Sequence, residues 1–323
     1  MPETVPTEDE VLAWFESLSN WGRWGPADQL GTLNLVTDEK RRAAAGLVRR
    51  GRAVSCAWDI DTSEHPDDAG TAPRRLMVTT GQGLADPARV LAPGQESHPR
   101  HAGAAEQISL YPHGFRLTHL DALAHQFWDG RMYNGRPAEL VTAAQGATEL
   151  DISALRHGIV TRGVLVDAAA HRGVDWLAPR EGVRPEELDA FLEAHDLTVE
   201  PGDAILLRTG YGAKVAAQGQ DRIRETGRAG WHAACLPWLR EHDVALIGTD
   251  TSTDASPSGY PAVRNPVHLV GIVAMGLSVL DNCNLEALAA TCAELGTWEF
   301  QFVLAPLAFA GATGSPANPL AIL

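Results

Sequence analysis

Basic residues are in short supply in this chain: 26 Lys and Arg face 41 Asp and Glu, for a formal net charge of -15. A polyanionic partner needs a basic face to displace its counterions, so nucleic acid is not the expected ligand and a neutral or modestly anionic small molecule fits better. Cysteine is sparse as well. The four, Cys56, Cys235, Cys283 and Cys292, form no CxxC pair, which argues against a disulfide framework and a cysteine zinc site and for reduced thiols. No stretch approaches the roughly 18 uninterrupted apolar residues of a membrane span. The opening Met-Pro-Glu-Thr and the acidic residues after it lack the basic start and apolar core of a secretory signal, so a cytoplasmic location is the expectation. No GxSxG elbow surrounds Ser252, Ser256 or Ser258 to make a serine nucleophile, and no GxGxxG or GxxxxGK[ST] loop is present to cradle a phosphate.

What is present is enough apolar material for a sizeable core: 45% of the residues are hydrophobic and 21% charged over 323 positions. Glu8 to Leu18 carries Val11, Leu12, Phe15 and Leu18 at helical spacing, and Asp38 to Arg50 reads as a second helix. Asp61 to Pro73 and Ala92 to Gln107, rich in Pro, Gly, Asp and Ala, read as loops. From Gly158 onward short apolar runs, Ile159 to Asp167, Ala204 to Arg208 and Val244 to Ile247, look like buried strands. Between them Arg184 to His195 and Gly230 to Glu241 have helical spacing. Pro266 opens a helix through Met275, Leu277 to Leu280 reads as a strand, Asn284 caps a helix that Gly296 stops, and Glu299 to Leu304 reads as a further strand. Alternation of this kind predicts an α/β architecture, with no internal repeat. Residues 1–50 are expected to form an N-terminal arm and 51–323 a single domain.

The chemistry concentrates in Thr118-His119-Leu120-Asp121-Ala122-Leu123-Ala124-His125. In an extended backbone His119 and Asp121 leave the same face, whereas on a helix they would point about 200° apart. An imidazole and a carboxylate together suit zinc or manganese, and the mixed nitrogen and oxygen shell argues against calcium. His125 follows four residues later, either as a third ligand or as a free base. Taken alone the HxDxxxH spacing is weak in a chain with 12 histidines, and a hydrogen-bonded turn is the plain alternative. Its setting among Leu117, Leu120, Leu123, Phe127 and Trp128 favours function, because buried charge needs a partner or an ion. His268 falls in the first turn of the Pro266 helix, where the dipole disfavours imidazolium and should keep the ring neutral enough to coordinate; a capping or core role is its alternative. Asp250 and Asp254 follow a buried strand, where they either shape a pocket or serve as turn residues.

The run His113-Gly114-Phe115-Arg116-Leu117-Thr118-His119-Leu120-Asp121-Ala122-Leu123-Ala124-His125, with Asp129-Gly130 and Tyr133-Asn134-Gly135, resembles the signature of the putative cyclase family, which includes bacterial arylformamidases (kynurenine formamidases) and isatin hydrolases. Asn20-Trp21-Gly22-Arg23-Trp24-Gly25, Gly31-Thr32-Leu33-Asn34, Arg208-Thr209-Gly210 and Gly314-Ser315-Pro316-Ala317-Asn318-Pro319 extend the likeness over most of the chain. The resemblance implies a swivelling β/β/α domain, metal ligation by His119, Asp121, His268 and Asp281, and a catalytic role for His125. Asp281 stands where the smaller enzymes usually have glutamate. The first histidine of the family pattern falls on Phe115, which removes a ligand and favours one ion per chain; His113 either substitutes for it or orients a neighbour. Trp21, Trp24 and Trp128 lie in segments that the family brings near its site, so Trp24 and Trp128 are candidate substrate contacts, with core or interface packing as the alternative. A homo-oligomer, dimer or tetramer, is also implied, with the N-terminal arm reaching a neighbouring subunit.

The expected function is that of a hydrolase using Zn2+ or Mn2+ and acting on a cyclic amide, imide or lactone, or on an aryl N-formyl amide. The ion would lower the pKa of its water from about 15.7 toward about 7 so that hydroxide attacks the carbonyl, with His125 passing the proton to the leaving group. A lyase or cyclase using the same metal and His125, and a non-catalytic small-molecule binding protein on the same fold, are the alternatives.

Overall fold

Unbroken apolar runs such as Val164-Leu165-Val166 and Ile205-Leu206-Leu207 belong in strands covered on both faces. The computed structural model places them at the centre of one nine-stranded sheet. The structure describes residues 5–68, 70–82, 103–220 and 222–323. In chain order the strands of this sheet are β1 (Ala53–Ser55), β2 (His119–Asp121), β3 (Ile159–Asp167), β4 (Ala204–Arg208), β5 (Leu246–Thr249), β6 (Ser278–Asp281), β7 (Glu299–Leu304), β8 (Gly314–Pro316) and β9 (Leu320–Ile322). Their spatial order is β1-β9-β7-β3-β4-β5-β6-β2-β8. The central β3-β4-β5-β6 run parallel, and the flanking strands join antiparallel. This is the α/β class that the alternating pattern predicts.

Successive residues of the central strands feed opposite faces. Val164, Val166, Ile205, Leu207, Ile247 and Val279 enter one apolar cluster, and Leu165, Leu206, Leu246 and Leu280 the other. Each such side chain contributes on the order of 1.5–3 kcal/mol when buried, so helices must cover both sides. The first cluster takes Leu188, Phe191 and Leu192 of α3 (Pro185–Ala194) and Leu236, Trp238 and Leu239 of α4 (Cys235–Glu241). The second takes Leu288, Ala289 and Cys292 of α6 (Glu286–Leu295), which ends at Gly296 in the left-handed region at φ 65°. The four cysteines are buried and free.

Several element ends differ from the sequence expectation. At the N-terminus α1 (Glu8–Ser17) starts in a reciprocal Thr7–Glu10 capping box, as its periodicity suggests. The next helix, α2 (Asp38–Ala45), stops before Arg50 because only Lys40 and Ala44 are buried and nothing holds a further turn. Gly230–Trp231, expected as helix, pairs in parallel with Gly182–Val183, and helix begins only at Cys235. Pro266 starts α5 (Pro266–His268), which continues as wider i→i+5 turns over Leu269–Met275 and ends at Gly276. The last carbonyls of that helix accept from the N-terminal segment: Asn20 N donates to Ala274 O, Asn20 Nδ2 to Met275 O and Trp21 Nε1 to Val273 O.

Contacts divide the chain into two units, Met1–Trp58 with Pro112–Leu323, and Asp59–Tyr111. The second contains an antiparallel ribbon, Arg74–Thr79 with Ala105–Ser109. The expected loop Ala92 to Gln107 therefore ends in strand from Ala105, while its residues 92–102 lie outside the described residues. Partner pairing, which periodicity does not report, supplies the ribbon's hydrogen bonds. Asp61 to Pro73 contains one short turn of 3-10 helix, Pro66–Asp68. Among the described residues no helix is long and apolar enough to cross a membrane.

Candidate metal centre

Strand β2 is the scaffold of the site. Its extended backbone sends His119 and Asp121 to one face, while Leu120 goes to the opposite face and the second apolar cluster. Antiparallel pairing sets His119 opposite Asp281 at the end of β6 and Asp121 opposite Gly314 of β8. Asn282, in the left-handed region at φ 54°, locks this pairing. Its Nδ2 donates to Gly114 O (2.7 Å) and Leu117 O (3.2 Å), and its own carbonyl accepts from Thr118 Oγ1 (2.7 Å). His268 arrives from α5. Its ring is aimed by Asp254, which accepts from Val267 N (2.7 Å), His268 N (3.2 Å) and His268 Nδ1 (2.5 Å).

Six side chains named from the sequence converge here. His119 Nε2 lies 3.6 Å from Asp121 Oδ1 and 3.8 Å from Asp281 Oδ2. His268 Nε2 lies 3.7 Å from Asp121 Oδ2 and 3.2 Å from Asp281 Oδ2. His113 Nδ1 is 2.9 Å from Asp121 Oδ1, and His125 Nε2 is 3.8 Å from Asp121 Oδ2. The donors form two overlapping triads, His113-His119-Asp121 and Asp121-His268-Asp281, that share Asp121. Both His119 and His268 present Nε2 to the cluster because Nδ1 is spent elsewhere, on Leu117 O (2.8 Å) for His119 and on Asp254 for His268. A carbonyl or carboxylate can only accept, so each Nδ1 carries its proton, the arrangement that leaves Nε2 free for a cation.

The electrostatics point the same way. His119, Asp121, His268 and Asp281 are each at most 5% exposed, and both oxygens of Asp121 lack a hydrogen bond of good geometry. A buried carboxylate without donors is costly unless a charge of opposite sign compensates it. Burial works against the charge on Asp121, but the imidazoles of His125, His113 and His119 outweigh it and hold the carboxyl well below its ordinary range. Asp281 is likewise held low, with burial opposed by His268 and His119. On His268 burial favours the neutral ring, yet Asp281 and Asp254 prevail and raise its pKa well above the ordinary value. The helix dipole is thus not the dominant influence on His268: two carboxylates at 2.5 and 3.2 Å lie closer and act in the opposite sense. A dication held there would take the place of that proton. His125 differs again, since burial pulls its pKa down to about 4 against the opposing pull of Asp121. It stacks on His113 with ring centres 3.7 Å apart and an interplanar angle of 4°.

The open side of the cluster is marked by His113 and His125, whose side chains are 14% and 24% exposed against 1% for Asp121. His113 also shares a 2.9 Å hydrogen bond with Thr313 Oγ1. It fits because Gly314 has no Cβ; one there would meet His113 Cε1 at 2.7 Å. Trp24 lies under the Arg23 guanidinium and Trp128 stacks on Phe15. Among the described residues no ring stacking or hydrogen bond joins either ring to the imidazole and carboxylate cluster. Asp250 is a cap, accepting from Thr209, Gly210 and Tyr211 N–H groups at the start of helix Tyr211–Gln218. Sequence reasoning left Asp254 between pocket and turn, and it missed Thr253, which donates to Asp281 Oδ1 (2.5 Å), and Arg228, half-buried behind the 252–254 turn. No spacing rule links Arg228 to the His119 segment.

Comparison with known proteins identifies the family and the fold. The family model described as Putative cyclase matches residues 37–255. A crystal structure of a novel cyclase is 30% identical, with a TM-score of 0.82, covering 96% of this chain and 99% of that one. Isatin hydrolase A from Ralstonia solanacearum is 24% identical, with a TM-score of 0.56, covering 87% and 95%. Isatin hydrolase A from Labrenzia aggregata, bound to benzyl benzoate, is 20% identical, with a TM-score of 0.56, covering 88% and 98%. These two show a shared fold. No curated protein matches the chain. With 30% identity across nearly the full length of one solved cyclase and a family model spanning more than half of its residues, the chain belongs to the Putative cyclase family.

Proposed function

We propose that this protein is a metal-dependent hydrolase of a cyclic amide, imide or lactone, or of an aryl N-formyl amide, holding one Zn2+ or Mn2+ through His119, Asp121, His268 and Asp281. The observation that carries this reading is the buried Asp121 carboxylate, shared by two triads of candidate ligand atoms and surrounded by four imidazoles. An ion bound there supplies Lewis acidity toward a substrate carbonyl and acidifies a water. Asp254 and Leu117 O orient the two ligand imidazoles, and Thr253 fixes the Asp281 carboxylate. His125, neutral and on the open side, accepts a proton at Nε2 and delivers it to the leaving nitrogen or oxygen. His113 stacks beneath it and holds its plane.

The test is metal analysis by mass spectrometry on protein purified without added metal, followed by turnover assays on lactones, imides and formyl-anilines. About one zinc or manganese per chain with turnover supports the proposal. Stoichiometry near two, with His113 as a ligand, overturns the single-ion part. Metal without hydrolysis shifts the assignment to lyase or cyclase chemistry, and absence of metal to a binding protein.

A further inference from the structure

Arg228 stands at the edge of the candidate site with most of its donors unspent. Its Nε donates to Ser252 O (3.0 Å) and Asp254 O (3.1 Å), clamping from behind the turn that carries Thr253 and Asp254. The terminal nitrogens of a guanidinium hold its remaining N–H groups, and among the described residues no acceptor takes them. The Cζ of Arg228 lies 5.4 Å from the centre of the Phe115 ring, two residues beyond His113, and Arg224 reaches the same ring at 5.3 Å. Neither guanidinium is ion-paired among the described residues. Burial pulls the Arg228 pKa down, with Asp254 and Asp281 opposing. Two cations converging on one phenyl ring repel each other, and an anion between or beside them relieves the repulsion.

We propose that Arg228, assisted by Arg224 and seated on Phe115, is an anion subsite, and that the substrate carries a carboxylate group. This rests on the hydrolase reading of the neighbouring cluster and narrows its substrate class. A bidentate pair with a carboxylate uses the planar fork of a guanidinium in a way a lysine cannot reproduce. A divalent ion and Arg228 together balance the charges of Asp121, Asp254 and Asp281, so an approaching carboxylate meets no net repulsion there. Phe115, the side chain that takes a histidine's place in the family pattern, supplies the flat apolar surface over which both guanidinium groups lie.

Benzoate and its neutral isostere benzamide, titrated calorimetrically into the metal-containing protein as purified, test the subsite. The same titrations on Arg228→Gln and Arg228→Lys accompany them, with metal content and melting temperature measured on each variant. Wild type should bind benzoate at least tenfold more tightly than benzamide. With affinities compared per metal-loaded chain, Arg228→Gln should lose about tenfold or more of the benzoate affinity, and Arg228→Lys should fall between. Equal affinity of wild type for the two ligands overturns the proposal, as does wild-type benzoate affinity in Arg228→Gln. If the glutamine variant does not fold, the wild-type comparison and the lysine variant decide. Failure of the hydrolase reading registers separately: benzoate selectivity without turnover of any ester or amide leaves a carboxylate-binding protein.

Discussion

Asp121 sits among four imidazoles, with only His113 within 3 Å, and its hold on a cation depends on its full negative charge. Asp121→Asn keeps the shape and removes that charge, and should lower metal content measured by mass spectrometry. Full retention of metal would place Asp121 outside the ligand set. His125 tests the opposite quality. Its Nε2 stays 3.8 Å from Asp121 on the open side, so His125→Ala should keep metal near the wild-type level while turnover of an active substrate falls roughly 100-fold or more, the scale of a lost acid-base group. Loss of metal along with activity would make His125 a ligand; unchanged activity would end its assignment as the proton carrier.

At the scale of elements, the site is a junction between β2, β6, β8 and α5, and two turns hold it in register. Asp254 links the 252–254 turn to α5 by capping Val267 and His268 and by fixing the His268 ring. Partners that orient a metal-bound histidine are typically worth about 10- to 100-fold in metal affinity. Asp254→Asn should therefore weaken zinc binding by that order, measured by competition with a chelator, without unfolding the chain. Unchanged zinc affinity would reduce Asp254 to a helix cap. Asn282 performs the matching task for β2, tying Gly114 and Leu117 to the end of β6.

On the scale of the whole molecule, the central parallel strands are covered on both faces, and the charged site lies along one margin of this core. An ion that binds only the folded site stabilises it by mass action, by about 2.7 kcal/mol when the free ion is at 100 times its dissociation constant. Removing the metal with a chelator should lower the melting temperature by several degrees in wild type, and by much less in Asp121→Asn. Identical melting curves with and without chelator in wild type would show that no ion contributes to folding.

The sequence alone determined the local terms. Short apolar runs such as Ala204 to Arg208 read as buried strands and Gly296 as a helix stop, and both are found. The two-residue spacing of His119 and Asp121 required an extended backbone for both to reach one ion, and β2 provides it. Phe115 announced a departure from the family pattern before any geometry was known. What the chain order hides is which distant segments meet. Asp254 becomes the orienting partner of His268, and Arg228 meets Phe115, only after the strands are ordered β5-β6-β2. The electrostatic surroundings of His268 are set there as well. A helix dipole can be read from local sequence, but the field of two carboxylates at 2.5 and 3.2 Å exists only in the folded site, and at that range it is the larger effect.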